Sequence, residues 1–293
     1  MTVTIIASFV SCNEYEMFEA EQYKNVFAVV SEDGYNVFQV EHDLEIPEST
    51  GYVSFSCGGT NSTEKDIVVS MTPDLTAFDK YNEGNFGSTK EKFAKLMSGD
   101  MYDINSYTFT IQKGEHSGRL PILVRPEGLS PDSVYMIPLK VNNFTEYEVN
   151  PEKNNVLYQV LIKNKYAAQK NLTSYNFVGY RDGQLVMGVK TMHPLTKNRV
   201  RIMVGQEAFQ ADLATINSKA IVLEVQDDNS VKLLPYRAGG MTVEQLDGDP
   251  DFPNIFKIEN DGYRTYKTFL LHYKYGGGTE MKEELRLETK ENE

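Results

Sequence analysis

Tyrosine stands beside an arginine or a turn several times in the second half of the sequence: Tyr175, Tyr180-Arg181, Tyr236-Arg237 and Tyr263-Arg264. An aromatic ring packs well on an apolar C–H face, and a flanking polar group hydrogen-bonds the hydroxyls around it. That is the chemistry of holding a sugar. The chain has no Trp, so Tyr must supply any such platform. Tyr175, Tyr180, Arg181, Tyr236, Arg237 and Tyr263 are therefore the candidate ligand contacts. Tyr is also an ordinary strand residue, and a packing role competes at each position.

Other chemistry is mostly missing. No pair of the histidines His42, His116, His193 and His272 is spaced i, i+4, and there is no HExxH. The sequence lacks a P-loop and a GxSxG elbow. Gly276-Gly277-Gly278 follows a strand, but Met281 breaks a GxGxxG reading, so a hairpin loop explains it better. Asp247, Asp249 and Asp251 alternate as calcium ligands do. An EF-hand would then need Gly and Glu where Phe252 and Ile258 stand, and a turn explains the segment better. A glycosidase needs two carboxylates a few ångströms apart, and no motif singles out such a pair. The expectation is a binding protein, not an enzyme, with no cofactor and no metal.

Charge and cysteine narrow the partners. The formal net charge is −13, and most of the acidic excess falls before residue 166. Such a surface repels phosphate backbones, which argues against nucleic acid. Cys12 and Cys57 are the only cysteines, too few for a disulfide framework and without CxxC spacing. Cys57 reads as a small buried hydrophobe. A bridge between the two is poorly motivated. Met1–Ser11 is apolar and uncharged and ends in small residues. Phe9-Val10-Ser11-Cys12 resembles a lipobox, which makes Cys12 the expected lipidation site. The segment lacks the basic start of a signal peptide, so the true start codon is open. No stretch is long enough to span a bilayer, and the lipid would be the only membrane anchor.

The elements that must position these residues are mostly strands. Val26–Val30 and Tyr35–Val40 flank the turn Glu32-Asp33-Gly34. Alternating runs follow at 51–56, 66–71, 107–111, 120–124 and 135–141. Val156–Ile162 is nearly continuous in apolar residues, as in a strand covered on both faces. Ser88-Thr89-Lys90-Glu91 is a capping box, and Phe93, Leu96 and Met97 share a helical face, which predicts a helix ending at Gly99. A weaker helical turn falls in Asp74–Tyr81. Residues 1–25 are a signal remnant and polar tether. Residues 26–165 read as an antiparallel sandwich with a short helical insert. Asn164–Asn171 is a polar break. Residues 166–293 then run up and down through short turns, notably Arg181-Asp182-Gly183-Gln184, Asp227–Ser230 and Asn260-Asp261-Gly262. They predict a β-barrel or a second β-sandwich.

Several stretches of the first half carry a further likeness. They are Leu75–Asn82, Tyr102, Tyr107–Glu115 with its Lys113-Gly114-Glu115 turn, and Leu129–Val141 with Tyr135 and Pro138-Leu139. They resemble the immunoglobulin-like N-terminal domain of a family of gut Bacteroidetes surface lipoproteins. Asn254–Ile258 and Tyr263–Tyr275 resemble the lipocalin-like C-terminal barrel of some members. The acidic stretch Asn13-Glu14-Tyr15-Glu16 resembles their surface-export signal. The resemblance implies a mostly β protein, lipid-anchored at the outer surface of the outer membrane. It also implies glycan capture beside other outer-membrane polysaccharide-uptake proteins, since members accompany polysaccharide-utilisation systems. Two alternatives stay open. A fimbrial-type structural or adhesive subunit would need an N-terminal arginine for processing, and the first arginine is Arg119. A lipocalin-like carrier would need an apolar cavity inside the second domain.

Overall fold

The computed structural model of the chain describes residues 26–289 apart from 33, 60 and 61. Cys12 and the tether before Val26 lie outside the described residues. From Val26 to Lys163 the elements are β1 (Val26–Val29), β2 (Val37–Asp43), β3 (Ser49–Cys57), β4 (Ile67–Pro73), α1 (Leu75–Phe86), β5 (Lys95–Leu96), β6 (Tyr102–Asp103), β7 (Thr108–Ile111), β8 (Ser117–Val124), β9 (Tyr135–Phe144), β10 (Glu148–Val149) and β11 (Asn155–Lys163). They form two facing sheets, ordered β10-β1-β3-β8-β6 and β2-β11-β9-β4-β7, with β5 on β9. Alternation drives the layering. Val53 and Phe55 of β3, and Leu120, Ile122 and Val124 of β8, point into one core shared with Ile67, Val69, Ile137 and Tyr158. β11 is buried along its middle, with Val156, Tyr158 and Val160 in that core and Leu157 turned toward Phe78 of α1. Gly51 admits the Tyr158 hydroxyl, which would stand 1.8 Å from any Cβ there.

Three expectations for this half need correction. The sandwich is not purely antiparallel, because β2 pairs with β11, and β1 with β10, in parallel. The run Val26–Val30 and the run Tyr35–Val40 do not make a hairpin; β1 and β2 lie in opposite sheets. The helix is also misplaced. Asp74 caps α1 by accepting from the Ala77 N–H, and Gly87 at φ 56° follows its end. The capping-box segment forms only a 3-10 turn over Lys90–Lys92. Beyond it, the Lys95 and Met97 N–H groups donate to Val134 O and Met136 O, holding Lys95–Leu96 as a strand. Buried Asn82 of α1 fixes this arrangement by donating to Ala94 O and accepting from Ala94 N–H. Tertiary pairing overrides the local helical signal.

The second half has β12 (Thr173–Arg181), β13 (Gln184–Thr196), β14 (Arg199–Met203), α2 (Leu213–Lys219), β15 (Ala220–Val225), β16 (Val231–Pro235), β17 (Val243–Gln245), β18 (Ile255–Asn260), β19 (Thr265–Tyr275) and β20 (Thr279–Thr289). They make one nine-stranded sheet, ordered β16-β15-β14-β13-β12-β20-β19-β17, with β18 also on β19. β17 and β18 lie end to end along one edge of β19. The sheet nearly closes where β16 returns: Val231 N–H donates to Asn254 O (2.8 Å), and Phe256 N–H donates to Asn229 O (2.9 Å). Leu233 N–H is met by Gln245 Oε1 at 3.0 Å. Of the two forms expected, the barrel is the one adopted. Its interior holds Tyr175, Phe177, Leu223, Phe256, Phe269, Leu271, Tyr273, Met281 and Leu285.

The two cores share no residue. The first ends at Ile162 and the second begins at Tyr166. Between them Asn164 is buried; its amide donates to Thr196 O and Arg199 O, and its side-chain oxygen accepts from the N–H groups of Tyr166 and Ala167. Arg201, on the outside of β14, pairs with Asp132 of the first domain, and the Tyr236 hydroxyl donates to the same carboxylate (3.2 Å). Among the described residues no helix is long and apolar enough to cross a membrane.

Candidate functional site

The β12–β13 hairpin fixes the site. Its turn residues Asp182 and Gly183 have φ of 48° and 78°, the left-handed pair of a two-residue hairpin. Asp182 N–H donates to Glu280 O, and Asp182 Oδ1 accepts from Glu280 N–H, so the turn is docked on the start of β20. Strand alternation then aims Tyr175 and Phe177 inward and Val178 and Tyr180 outward. Tyr180 is 44% exposed and stands between Leu185 of β13 and Lys282 of β20 in register.

The segment between β17 and β18 supplies the opposite wall. Asn254 ties it to β19: its amide donates to Leu246 O (2.7 Å), and its Oδ1 accepts from His272 N–H (2.8 Å). Asp249 Oδ1 accepts from the N–H groups of Asp251 (2.9 Å) and Phe252 (3.0 Å), which shapes the turn. Its other oxygen lies 2.6 Å from Lys282 Nζ. That ammonium holds the Asp249 carboxyl down at about 2. Between the walls is a cleft of about 430 Å³ lined by Tyr180, Asp182, Gly183, Asp249, Asp251, Phe252, Glu280 and Lys282. Behind it, Glu280 Oε1 is 2.8 Å from His272 Nε2. The cleft presents an aromatic wall beside a row of carboxylate oxygens. Among the described residues no group of ligating side chains is placed to hold a metal ion.

A second cleft, about 580 Å³, lies in the first domain between Tyr35, Asn36, Ala77, Lys80 and residues 151–155. Several of its polar groups are engaged internally. Asn36 donates to Glu152 O (2.8 Å) and Asn155 Oδ1 (2.5 Å), and Lys153 Nζ donates to Ser31 O and Glu32 O (both 3.1 Å).

The other candidate residues do not gather there. Tyr175 is fully buried; its hydroxyl donates to Tyr166 O at 2.9 Å, so it is a barrel-core residue. Arg181 is exposed at the last rung of β12, opposite Gln184 and Met281. Tyr236 is half-buried at the domain junction, its ring covered by Arg201 and Arg237, each 5.1 Å from the centroid. Tyr263 is 96% exposed in the β18–β19 turn. Along β20, Lys282 is level with Tyr180, whereas Thr289 is level with Thr265. Tyr180 and Tyr263 therefore sit at opposite ends of the barrel, about 20 Å apart at ~3.3 Å per residue. Sequence reasoning did not select Asp182, Asp249, Asp251, Phe252, Glu280 or Lys282 as ligand contacts. The alternating aspartates were the available signal, but it pointed to calcium or a plain turn.

A sandwich of two sheets followed by a filled, nearly closed barrel defines the molecule as a two-domain, all-β protein. One family model, described as an N-terminal domain, matches residues 22–148, and another, described as C-terminal, matches residues 154–290. Together they span the chain from 22 to 290, and the chain carries that pair of domains in that order. β11 falls within the second match, although it packs in the first sandwich. Solved structures share the whole architecture. A protein of unknown function from Bacteroides ovatus matches at 14% identity and TM-score 0.59, over 92% of this chain and 98% of its own. Another from the same organism matches at 16% and 0.60, over 94% and 93%. An auxiliary nutrient binding protein from Bacteroides thetaiotaomicron matches at 12% and 0.60, over 86% and 90%. No curated protein matches the sequence significantly.

Proposed function

We propose that this chain is a glycan-binding protein without catalytic activity, and that the cleft at Tyr180 is where it holds the sugar. The observation that carries the reading is the half-exposed Tyr180 ring beside Asp182, Asp249, Asp251, Glu280 and Lys282. A ring of that exposure packs on a sugar's C–H face, and the carboxylates accept from its hydroxyls. The nutrient-binding description of a protein with the same fold is in keeping with it. The filled barrel interior disfavours the carrier reading, since a barrel that holds an apolar ligand needs room inside. The chain would act at the outer-membrane surface, anchored by a lipid on Cys12, beside other polysaccharide-uptake proteins. A glycan array probed with the full chain tests the binding. Wild-type signal that Tyr180→Ala loses supports it, and signal that the substitution leaves intact refutes this site. Labelled fatty acid that enters the wild type but not Cys12→Ala supports the anchor; labelling that survives the substitution refutes it.

One observation favours a second reading, a structural or adhesive subunit. Val178, Leu185, Met187 and Val189 are exposed on the outer face of β12 and β13, and Val178 and Met187 are cross-strand partners. A contiguous apolar patch of this kind serves protein contacts. Sedimentation of the full chain in the presence and absence of saccharide separates the two readings. Self-association that Met187→Lys abolishes, without saccharide binding, would favour the subunit.

A further inference from the structure

Resting on the glycan reading of this cleft, we propose that it selects by charge, taking neutral or amine-bearing saccharides and rejecting acidic ones. Four carboxylates, Asp182, Asp249, Asp251 and Glu280, line it against one lysine, Lys282. The lysine is already engaged, with its Nζ 2.6 Å from Asp249 Oδ2. Asp249 is itself engaged at both oxygens, since its Oδ1 accepts from Asp251 and Phe252 N–H. Glu280 Oε1 is held by His272, and Asp182 Oδ1 by the Glu280 N–H. One oxygen of Asp182, one of Glu280 and the whole Asp251 carboxylate are left to meet a ligand. Further back, His272 Nδ1 is buried without a hydrogen-bond partner, 3.8 Å from Asp249 Oδ2.

A surface of this kind is rich in acceptors and poor in donors. Sugar hydroxyls donate to it without a charge penalty. A glucosamine ammonium gains more, from the carboxylates and from the Tyr180 and Phe252 ring faces together. A uronate or sulfate group would stand against like charge with no unpaired cation among the lining residues to answer it, and such juxtapositions are how a site excludes a competitor. The selectivity is local, because the charges of the C-terminal half nearly balance. It follows from which side chains the β12–β20 register and the Asp249 turn bring together.

The test uses the full chain and matched saccharide panels that differ in charge: neutral gluco- and xylo-oligosaccharides, chitosan oligosaccharides, and polygalacturonate and sulfated oligosaccharides. Binding is read by array and then by titration. The expected result is affinity for neutral or aminated members at least tenfold above acidic members of equal length. Chitosan binding should weaken as salt rises. Asp182→Asn combined with Asp251→Asn should narrow the gap; Asn tolerates the left-handed backbone at 182 and keeps the Oδ1 acceptor. Acidic members bound as tightly as the others, with Tyr180 still required, would overturn the charge selection and leave the glycan reading intact. A wild type that binds no saccharide of any class would overturn the glycan reading, and the selection with it.

Discussion

Lys190 Nζ and Glu283 Oε2 meet at 2.5 Å inside the barrel, with neither side chain more than 2% exposed. Tyr273 donates its hydroxyl to Glu283 Oε1 (2.8 Å), and Gly205 N–H donates to the Tyr273 hydroxyl (3.2 Å). Burial pushes the Lys190 ammonium below its usual value, and the Glu283 carboxylate opposes the shift. Breaking such a pair leaves an uncompensated buried charge, which costs about 3–5 kcal/mol, whereas replacing both partners with apolar groups is often neutral. Glu283→Ala should therefore lower the unfolding free energy by about 3 kcal/mol or more in a denaturant titration. Lys190→Met with Glu283→Leu should recover most of that loss. A single substitution as mild as the double one would show that the pair is not charged in the folded barrel.

The domain junction gives a second expectation. Asn164 through Ala167 are held by the Asn164 hydrogen bonds, and Tyr166 and Ala167 are buried. Lys170, Asn171 and Leu172 are exposed. Trypsin should therefore cut first after Lys170, since cleavage needs exposed backbone that can yield. Arg201→Met removes the partner of Asp132 and should speed that cut several-fold. First cleavage after Lys163 or Lys165, or an unchanged rate in the variant, would contradict this account of the junction.

Acid should weaken the protein in a defined window. Burial holds His42 at about 4. Burial, followed by the positive Arg201, does the same for His193. Both lie below the ordinary 6.5, so between about pH 6.5 and 4 the unfolded chain binds protons that the folded chain refuses. Stability then falls as pH falls through that window and levels off below it, by up to about 3 kcal/mol per histidine. Asp249 has the opposite sign of charge and acts lower, since its pKa of about 2 is reached only in stronger acid. Urea midpoints measured from pH 7 to 4 should show the slope, and His42→Gln with His193→Gln should flatten it. An equal slope in the double variant would assign the effect to other groups.

The parts of this fold legible in the sequence were those set locally. The Asp182-Gly183 turn forces its hairpin, and alternation in β3, β8 and β12 fixes which side chains point inward. The parts that were not legible depend on distant partners. The helix at Leu75–Phe86 carries a poor apolar stripe, because Asn82 clamps Ala94 and Gly84 makes room for the Tyr35 ring. The stronger helical pattern after Ser88 lost to pairing with β9. The candidate site shows the same division. Tyr180 could be chosen from its turn, but its neighbours Lys282 and Asp249 arrive through the β12–β20 register and a loop 69 residues further along the chain. Tyr175 failed as a surface residue for a simple reason: it lies five positions from Tyr180, an odd step, so in the strand the two side chains face opposite ways.

That parity makes the tyrosines their own controls. Tyr180 faces the cleft; Tyr263 is fully open at the far end of the barrel; Tyr236 is covered by two arginines. If the cleft holds a saccharide, Tyr180→Ala should weaken binding by on the order of 1–2 kcal/mol, the value of a lost aromatic contact. Tyr263→Ala and Tyr236→Ala should leave affinity unchanged. Tyr236→Ala should instead reduce stability, because its hydroxyl donates to the Asp132 carboxylate that Arg201 binds. Tyr175→Phe should also cost stability and not affinity, through the lost hydrogen bond to Tyr166 O. Titration calorimetry beside thermal unfolding of each variant separates the two effects. Weaker binding in Tyr263→Ala with Tyr180→Ala unaffected would move the site to the opposite end of the barrel.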